Sequence, residues 1–201
     1  MDDWVLRAMQ RWPNVPALFG WLGLDRRGRW LIKDEAISHP RIVEAISRNY
    51  ARDEQGRWFF QNGPQRGYLA LASAPFVLRT AEDESMLMTH TGLRVARATG
   101  AFLDEEGAVV IATEHGPGEI LGAELDWALR RLRHSGQAIT EDLLAEALES
   151  PSGEVTDLSL EIYGFALPLI RLDFADAPAH LNFVRDPQPR EGERSATRVP
   201  D

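Results

Sequence analysis

The 201-residue chain contains no cysteine, and Lys33 is the single lysine among its 22 basic residues. Without cysteine there is no disulfide framework, no thiolate metal site and no cysteine nucleophile. No apolar run reaches the roughly 18 residues that a membrane-spanning helix needs. The first residues also lack the basic and apolar regions of a signal peptide. We therefore expect a cytoplasmic protein that has no membrane partner.

Motifs for catalysis or cofactor binding are also missing. The sequence has no P-loop, no nucleophile elbow and no pair of histidines at zinc-ligand spacing. Glu114, His115 and Glu119 surround a glycine-rich turn and are more typical of a polar loop than of a metal site. Gly116-x-Gly118 lacks the third glycine of a dinucleotide fingerprint. The sequence therefore predicts no catalytic residue, no cofactor and no metal, and it favours a protein that is not an enzyme.

Charge is distributed unevenly along the chain. Residues 1–80 hold 12 basic and 8 acidic residues, whereas residues 81–185 hold 7 basic and 19 acidic residues. The net charge of −9 argues against nucleic acid as the partner. Two interpretations of the asymmetry remain open. The two parts attract each other across an interface, or the basic part holds an anion such as a phosphate or a nucleotide.

An Asp-x-x-Gly pattern occurs three times, at Asp25, Asp53 and Asp104. Asp at the first and Gly at the fourth position are typical of a type I turn. Apolar residues on both sides of the first and third turns predict β-hairpins, and these two turns lie 79 residues apart. A helix is predicted after each hairpin, one starting near Pro40 and one running from Glu119 to His134.

The two halves share further features in the same order, which predicts an internal duplication. Closing strands are predicted at residues 75–79 and 168–171, and an additional helix begins at Thr140 with acidic residues in its first turn. The predicted fold class is α+β, in which a duplicated unit of antiparallel strands is covered by helices. The predicted divisions are an N-terminal helix and linker (1–16), a first α+β repeat (17–80), a second α+β repeat (81–185) and a disordered tail (186–201).

The segment from residue 48 to residue 68 is the densest in arginine, aromatic and amide side chains. Aromatic rings stack on bases, arginine pairs with phosphate, and amides read base edges. Seven residues are candidate ligand contacts: Arg48, Tyr50, Arg52, Trp58, Asn62, Gln65 and Arg66. The alternative is structural, with Trp58 in the core and the two arginines capping carbonyls at a helix end.

The stretch from Gly28 to Arg79 carries a glycine-tryptophan strand, a helix, an Asp-x-x-Gly-aromatic pattern and a closing Pro75-Phe76-Val77. This arrangement resembles the bacterial domain-of-unknown-function family 1285. That family commonly has Thr-Pro after the aromatic strand, where this chain has Gln61-Asn62-Gly63-Pro64, so a sister proteobacterial family of unknown function fits equally. The resemblance implies a duplicated α+β fold whose second half is similar to a pleckstrin-homology-like barrel. It also implies a nucleotide-based ligand in a cleft between the halves and a signalling role.

Three hypotheses on function follow. The leading one is non-enzymatic binding of a small anionic, nucleotide-like molecule in a cleft between the two repeats. The second is a protein-interaction module without a small-molecule ligand. The third is an enzyme whose Asp, Glu and His side chains come together only on folding.

Overall fold

A computed structural model of the chain describes residues 2–12 and 15–197. Two compact units are formed: unit 1 comprises Met1–Pro75 and Asn182–Asp201, and unit 2 comprises Phe76–Leu181. Residues 1, 13, 14 and 198–201 lie outside the described residues, and parts of the predicted linker and tail fall among them. No helix within the described ranges is long and apolar enough to cross a membrane.

The described part of unit 1 contains two helices and a seven-stranded sheet. Its elements are α1 (Asp3–Arg11), β1 (Ala17–Leu24), β2 (Trp30–Ile32), β3 (Glu35–Ala36), α2 (Pro40–Arg48), β4 (Tyr50–Arg52), β5 (Trp58–Asn62), β6 (Gln65–Leu71) and β17 (Ser195–Thr197).

Unit 2 contains a ten-stranded sheet and three short helices. Its elements are β7 (Phe76–Thr80), β8 (Leu87–Thr89), β9 (Arg94–Val95), β10 (Ala98–Leu103), β11 (Val109–Thr113), β12 (Gly116–Ile120), a 3-10 turn (Gly122–Glu124), α3 (Leu125–Leu129), β13 (Leu132–His134), β14 (Gln137–Ala138), α4 (Glu141–Glu149), β15 (Val155–Ile162), β16 (Phe165–Arg171) and α5 (Ala177–His180).

The two sheets repeat one strand plan. The order β3-β2-β1-β6-β5-β4 in unit 1 matches β12-β11-β10-β16-β15-β13 in unit 2. In unit 1, β1 pairs antiparallel with β2 and parallel with β6, and in unit 2, β10 pairs antiparallel with β11 and parallel with β16. The predicted α+β class and the internal duplication are confirmed. The pleckstrin-homology-like barrel implied for the second half stays a prediction.

The register of pairing repeats as well. Leu24 pairs with Trp30, and 79 residues further on Leu103 pairs with Val109. In the closing hairpin, Phe60 pairs with Gly67, and 100 residues further on Leu160 pairs with Leu167. The larger second offset reflects an insertion that contains α4, where unit 1 has the short turn at Asp53.

All three Asp-x-x-Gly segments form the same turn. In each, the aspartate Oδ1 accepts backbone N–H groups from the residues two and four positions later, at 2.7–3.0 Å. Gly28, Gly56 and Gly107 adopt φ values of 77°, 79° and 84°, which only glycine reaches without strain. The second turn also connects two strands, β4 and β5, so the pattern marks a hairpin in all three places.

The predicted helix over residues 119–134 is wrong for most of its length. Residues up to Ile120 belong to β12, and Leu132–His134 forms β13. Only Leu125–Leu129 is α-helical. Leu132 is fully buried and pairs with Leu160. A short segment can show the helical spacing of apolar residues by chance, and here pairing in the sheet decides the structure instead.

The structure also corrects the predicted closing strands and the first boundary. The counterpart of β16 is β6, since Leu71 and Arg171 occupy the same register on their parallel neighbours. The segment at Phe76 instead forms β7, which pairs with β12 of unit 2. The division between the units therefore falls at Pro75 rather than at residue 80.

The expected disorder of residues 186–201 is corrected for the described part, which ends at Thr197. Ser195–Thr197 pairs in parallel with Ala17–Phe19 of β1. Glu193 forms an ion pair with Arg57. Backbone pairing and an ion pair hold this segment in place. Neither contact can be predicted from amino-acid composition, which shows only that the segment is poor in large apolar residues.

Candidate functional site

The sheet of unit 1 has two faces, and the predicted ligand residues are divided between them. Side chains alternate along a strand, so Trp58 and Phe60 of β5 point to one face while Phe59 and Gln61 point to the other. Arg66 pairs with Gln61 across the hairpin and therefore shares its face. Arg66 consequently cannot share a site with Tyr50 and Trp58, because both of these lie on the face of Phe60.

The face of the sheet that carries Tyr50, Trp58 and Phe60 is an aromatic core. The rings of Tyr50 and Trp58 and those of Tyr50 and Trp30 are each 4.9 Å apart. The Tyr50 hydroxyl donates to the carbonyl of Pro75 at 2.9 Å, and burial raises the pKa of Tyr50 well above its ordinary value. Trp58 is 4% exposed. Both residues therefore pack into the core of unit 1, the position that the alternative interpretation gave to Trp58.

Four other predicted contacts lie at the surface or bind the protein itself. Arg48 pairs with Glu44 at 2.7 Å and with Asp2 at 3.5 Å. Arg52 and Asn62 are exposed, and the side-chain amide of Gln65 donates to the carbonyl of Pro16 at 3.1 Å.

The opposite face carries a cavity of about 540 Å³ around Arg66, here called the Arg66 cavity. Its floor is formed by β5, β6 and the start of β1. Its sides are formed by α1, by Trp12 and Val15, and by residues 188–197, here called the C-terminal segment. The lining residues are Met9, Trp12, Val15, Ala17, Gln61, Pro64, Arg66, Tyr68, Gly192, Glu193 and Arg194. Of the seven predicted contacts, Arg66 alone lines it.

Neighbouring side chains orient Arg66. Its Nε donates to the Oε1 of Gln61 at 3.3 Å, and its guanidinium lies 4.5 Å from the ring centroid of Phe59. Gln61 is 1% exposed and is itself fixed by donating to the carbonyl of Gly63 at 2.9 Å. Among the described residues, no carboxylate forms an ion pair with Arg66. A positive charge fixed in orientation therefore borders the cavity.

A buried ionic network lies beside the cavity, centred on Arg57. The Nε of Arg57 donates to Asp53 at 2.7 Å, while Nη1 and Nη2 donate to the two carboxylate oxygens of Glu193 at 2.9 and 3.2 Å. Nη2 also donates to the hydroxyl of Tyr68 at 2.9 Å, and that hydroxyl donates to Asp53 at 3.1 Å. The positive charge of Arg57 is thus compensated by two carboxylates.

These contacts set the ionisation of the network. Burial by itself raises the pKa of Asp53 and of Glu193, but the charge and hydrogen bonds of Arg57 together with backbone N–H groups outweigh it and lower both pKa values. Burial by itself lowers the pKa of Arg57, but hydrogen bonds to Glu193 and Asp53 outweigh it and raise that pKa. All three groups are therefore charged near neutral pH.

Sequence reasoning missed Arg57, Asp53, Tyr68 and Glu193. One signal was available, since Asp25 and Asp53 are both followed four residues later by an arginine. Each arginine bonds back to its aspartate, with Nε to Oδ2 distances of 2.6 Å in the first turn and 2.7 Å in the second. Within the described residues, no three metal-ligating side chains converge as a metal site requires.

Two copies of one strand plan, with a polar cavity on the sheet of the first copy, define an α+β protein of duplicated architecture. The chain belongs to the family DUF2944, described as "Protein of unknown function (DUF2946)", whose family model matches residues 1–188.

Two solved structures are similar. A DUF1285 family protein from Silicibacter pomeroyi DSS-3 is 16% identical, with a TM-score of 0.51 over 85% of this chain and 96% of that one. A DUF1285 family protein from Shewanella baltica OS155 is 15% identical, with a TM-score of 0.39 over 52% of this chain and 86% of that one. The first likeness is one of fold, and it confirms the resemblance seen in the sequence. None of the curated proteins matches the chain.

Proposed function

We propose that unit 1 binds a small anionic, nucleotide-like ligand in the Arg66 cavity. The observation that carries this proposal is the contrast between two arginines of unit 1. Arg57 is compensated by Asp53 and Glu193, whereas Arg66 is held beside a cavity without a carboxylate partner among the described residues. A half-buried guanidinium without such a partner in the described part of the chain favours an anion, and its planar group suits phosphate or carboxylate.

Other lining groups fit the same kind of ligand. A volume of about 540 Å³ lies within the range of small-molecule sites, roughly 300–1,000 Å³. Arg194 supplies a second positive charge, and Trp12, which is 50% exposed, offers a ring for stacking. Glu193 also lines the cavity, but its carboxylate is engaged by Arg57. We infer a ligand-responsive, non-catalytic role in signalling in the bacterial cytoplasm.

The first experiment compares the wild-type chain with Arg66→Ala and Arg52→Ala in calorimetric and thermal-shift titrations. The panel contains nucleoside mono-, di- and triphosphates, cyclic dinucleotides and inorganic phosphate. Both variants lose one positive charge, but Arg52 is an exposed residue that does not line the cavity. It is therefore the matched control.

A ligand that binds the folded state alone stabilises it by about 2.7 kcal/mol at a hundredfold excess over Kd. We expect one class of phosphate compound to raise Tm, and Arg66→Ala to weaken its binding roughly tenfold or more, as loss of a charged hydrogen bond does. Equal weakening by Arg52→Ala would show unspecific attraction to the basic unit. A panel without any shift would contradict the proposal.

A further inference from the structure

The guanidinium of Arg57 sits in a socket that the main body of unit 1 builds. Its side chain is 8% exposed. Asp53 holds Nε from the turn before β5, and Tyr68 of β6 bonds Nη2 and lies beneath the guanidinium, 4.3 Å from ring centroid to Cζ. Asp53 and Tyr68 both precede the C-terminal segment by more than a hundred residues. The socket therefore presents Nη1 and Nη2 to whichever carboxylate reaches them.

In this structure that carboxylate comes from the C-terminal segment, which is weakly held beyond Pro187. Among the described residues from 188 to 196, no side chain is buried. The segment is fixed by Glu193, by the carbonyl of Gln188 at 3.3 Å from Nη1 of Arg57, and by the three-residue strand β17. A segment with so few buried contacts opens locally at low cost.

The second half of the site is the edge of β1 beyond its pairing with β2. β2 pairs with β1 over Leu22–Leu24 and leaves the stretch from Ala17 to Phe19 free for another strand. β17 fills this edge in parallel, and the N–H of Ala17 donates to the carbonyl of Arg194 at 2.9 Å. Addition of an extended segment to a sheet edge, with one side chain in a pocket, is a common mode of peptide recognition.

We propose that the Arg57 socket and the edge of β1 form a recognition site for an extended peptide of a partner protein. The chain's own C-terminal segment occupies this site in the place of the partner peptide, and its residues indicate which side chains the partner peptide carries. That peptide carries a glutamate, and two positions later it forms a short parallel strand of small residues, as Glu193 and Ser195–Thr197 do. The intramolecular segment competes at a high effective concentration, so a partner binds when the segment is released.

The test releases the segment in the full-length chain by Glu193→Lys, which places a like charge against Arg57. The probes are two fluorescein-labelled peptides with the sequence of residues 189–197, one with Glu at the position of Glu193 and one with Gln. In fluorescence anisotropy we expect the variant to bind the Glu peptide roughly tenfold or more tightly than the Gln peptide. Wild-type protein, whose own segment occupies the site, binds the Glu peptide more weakly than the variant does.

Hydrogen exchange checks that the segment is released, since the amide of Ala17, which donates to the carbonyl of Arg194, loses protection in Glu193→Lys. Unchanged protection, equal binding of both peptides, or no binding by a chain that still unfolds cooperatively would each overturn the proposal. Arg57→Gln removes the guanidinium of the socket. If that variant does not fold, the comparison of the Glu and Gln peptides tests the same contact by changing the carboxylate of the peptide instead. Arg52→Ala, an exposed residue outside the cavity lining, is the control and leaves peptide binding intact. The anion titrations of the wild-type chain test the Arg66 cavity separately, so failure of either proposal is distinguishable from failure of the other.

Discussion

Units 1 and 2 share a strand order and a pairing register, yet they differ strongly in charge. Unit 1 contains 15 basic and 12 acidic residues, a net charge of +3, whereas unit 2 contains 7 basic and 19 acidic residues, a net charge of −12. Strand pairing depends on backbone hydrogen bonds and on alternating apolar residues. Surface charge is not constrained by either, so two copies of one backbone plan can acquire different chemistry.

The difference is concrete at matching positions. Arg66 and Gln61 of unit 1 pair across their hairpin as Ala166 and Glu161 do in unit 2. Unit 2 has a cavity of about 390 Å³ at this end of its sheet, lined by Ala166 and by apolar neighbours such as Phe165, which is 71% exposed. Unit 1 therefore has an arginine at a position where unit 2 has an alanine.

Removing Arg57 is the largest expected perturbation, and it tests whether the ionic network is particular to unit 1. Arg57→Ala leaves the carboxylates of Asp53 and Glu193 without their partner, which we expect to lower the free energy of unfolding by about 3–5 kcal/mol. Urea unfolding measures the loss, and hydrogen exchange shows whether it is confined to unit 1. Arg52→Ala is the control, since an exposed substitution changes stability by about 0.5 kcal/mol or less. Equal losses in both variants would show that Arg57 is not a structural centre.

A second comparison uses the repeated turn itself. Gly56 and Gly107 occupy the same position in their turns, with φ of 79° and 84°. A Cβ at Gly107 meets nothing within 4 Å, whereas at Gly56 it lies 2.8 Å from the carbonyl oxygen of Asn182. Gly107→Ala should cost about 1–2 kcal/mol for the left-handed backbone. Gly56→Ala should cost about 1–3 kcal/mol more for the clash, as measured by thermal unfolding. Equal costs would mean that the chain at Asn182 moves away freely.

Much of the fold was predictable because its signals are local. The Asp-x-x-Gly turns and their offset of 79 residues identify the duplication, and Pro40 and Thr140 mark the starts of α2 and α4. The second long helix was mispredicted because a few apolar residues fit a helix and a strand equally well.

The site was less predictable than the fold. The predicted residues are neighbours in sequence, but alternation along β5 and β6 sends Tyr50 and Arg66 to opposite faces. The register of the β5–β6 hairpin is sufficient to place these two residues on different faces. The pairing of Arg57 with Glu193 spans 136 residues, and no local pattern in the sequence indicates it.

The smallest expected effect is the response of the unit 1 network to acid. Asp53 and Glu193 have folded pKa values below their ordinary values of 3.8 and 4.5. Each carboxylate therefore binds a proton less readily in the folded chain than in the unfolded one. The stability that it contributes is fully present above the unfolded pKa and is lost as the pH falls through the folded pKa. We expect the free energy of unfolding of the wild-type chain to fall as the pH is lowered from about 4.5.

Glu193→Gln should lower stability by about 1 kcal/mol at pH 7 and reduce the acid dependence, because one of the two titrating groups is gone. Glu54→Gln is the control, because it removes an exposed carboxylate from the turn that begins at Asp53. Urea unfolding between pH 3 and pH 7 measures both slopes. If the free energy of unfolding of Glu193→Gln falls with acid as steeply as that of the wild-type chain, the groups that cause the acid dependence lie outside this network.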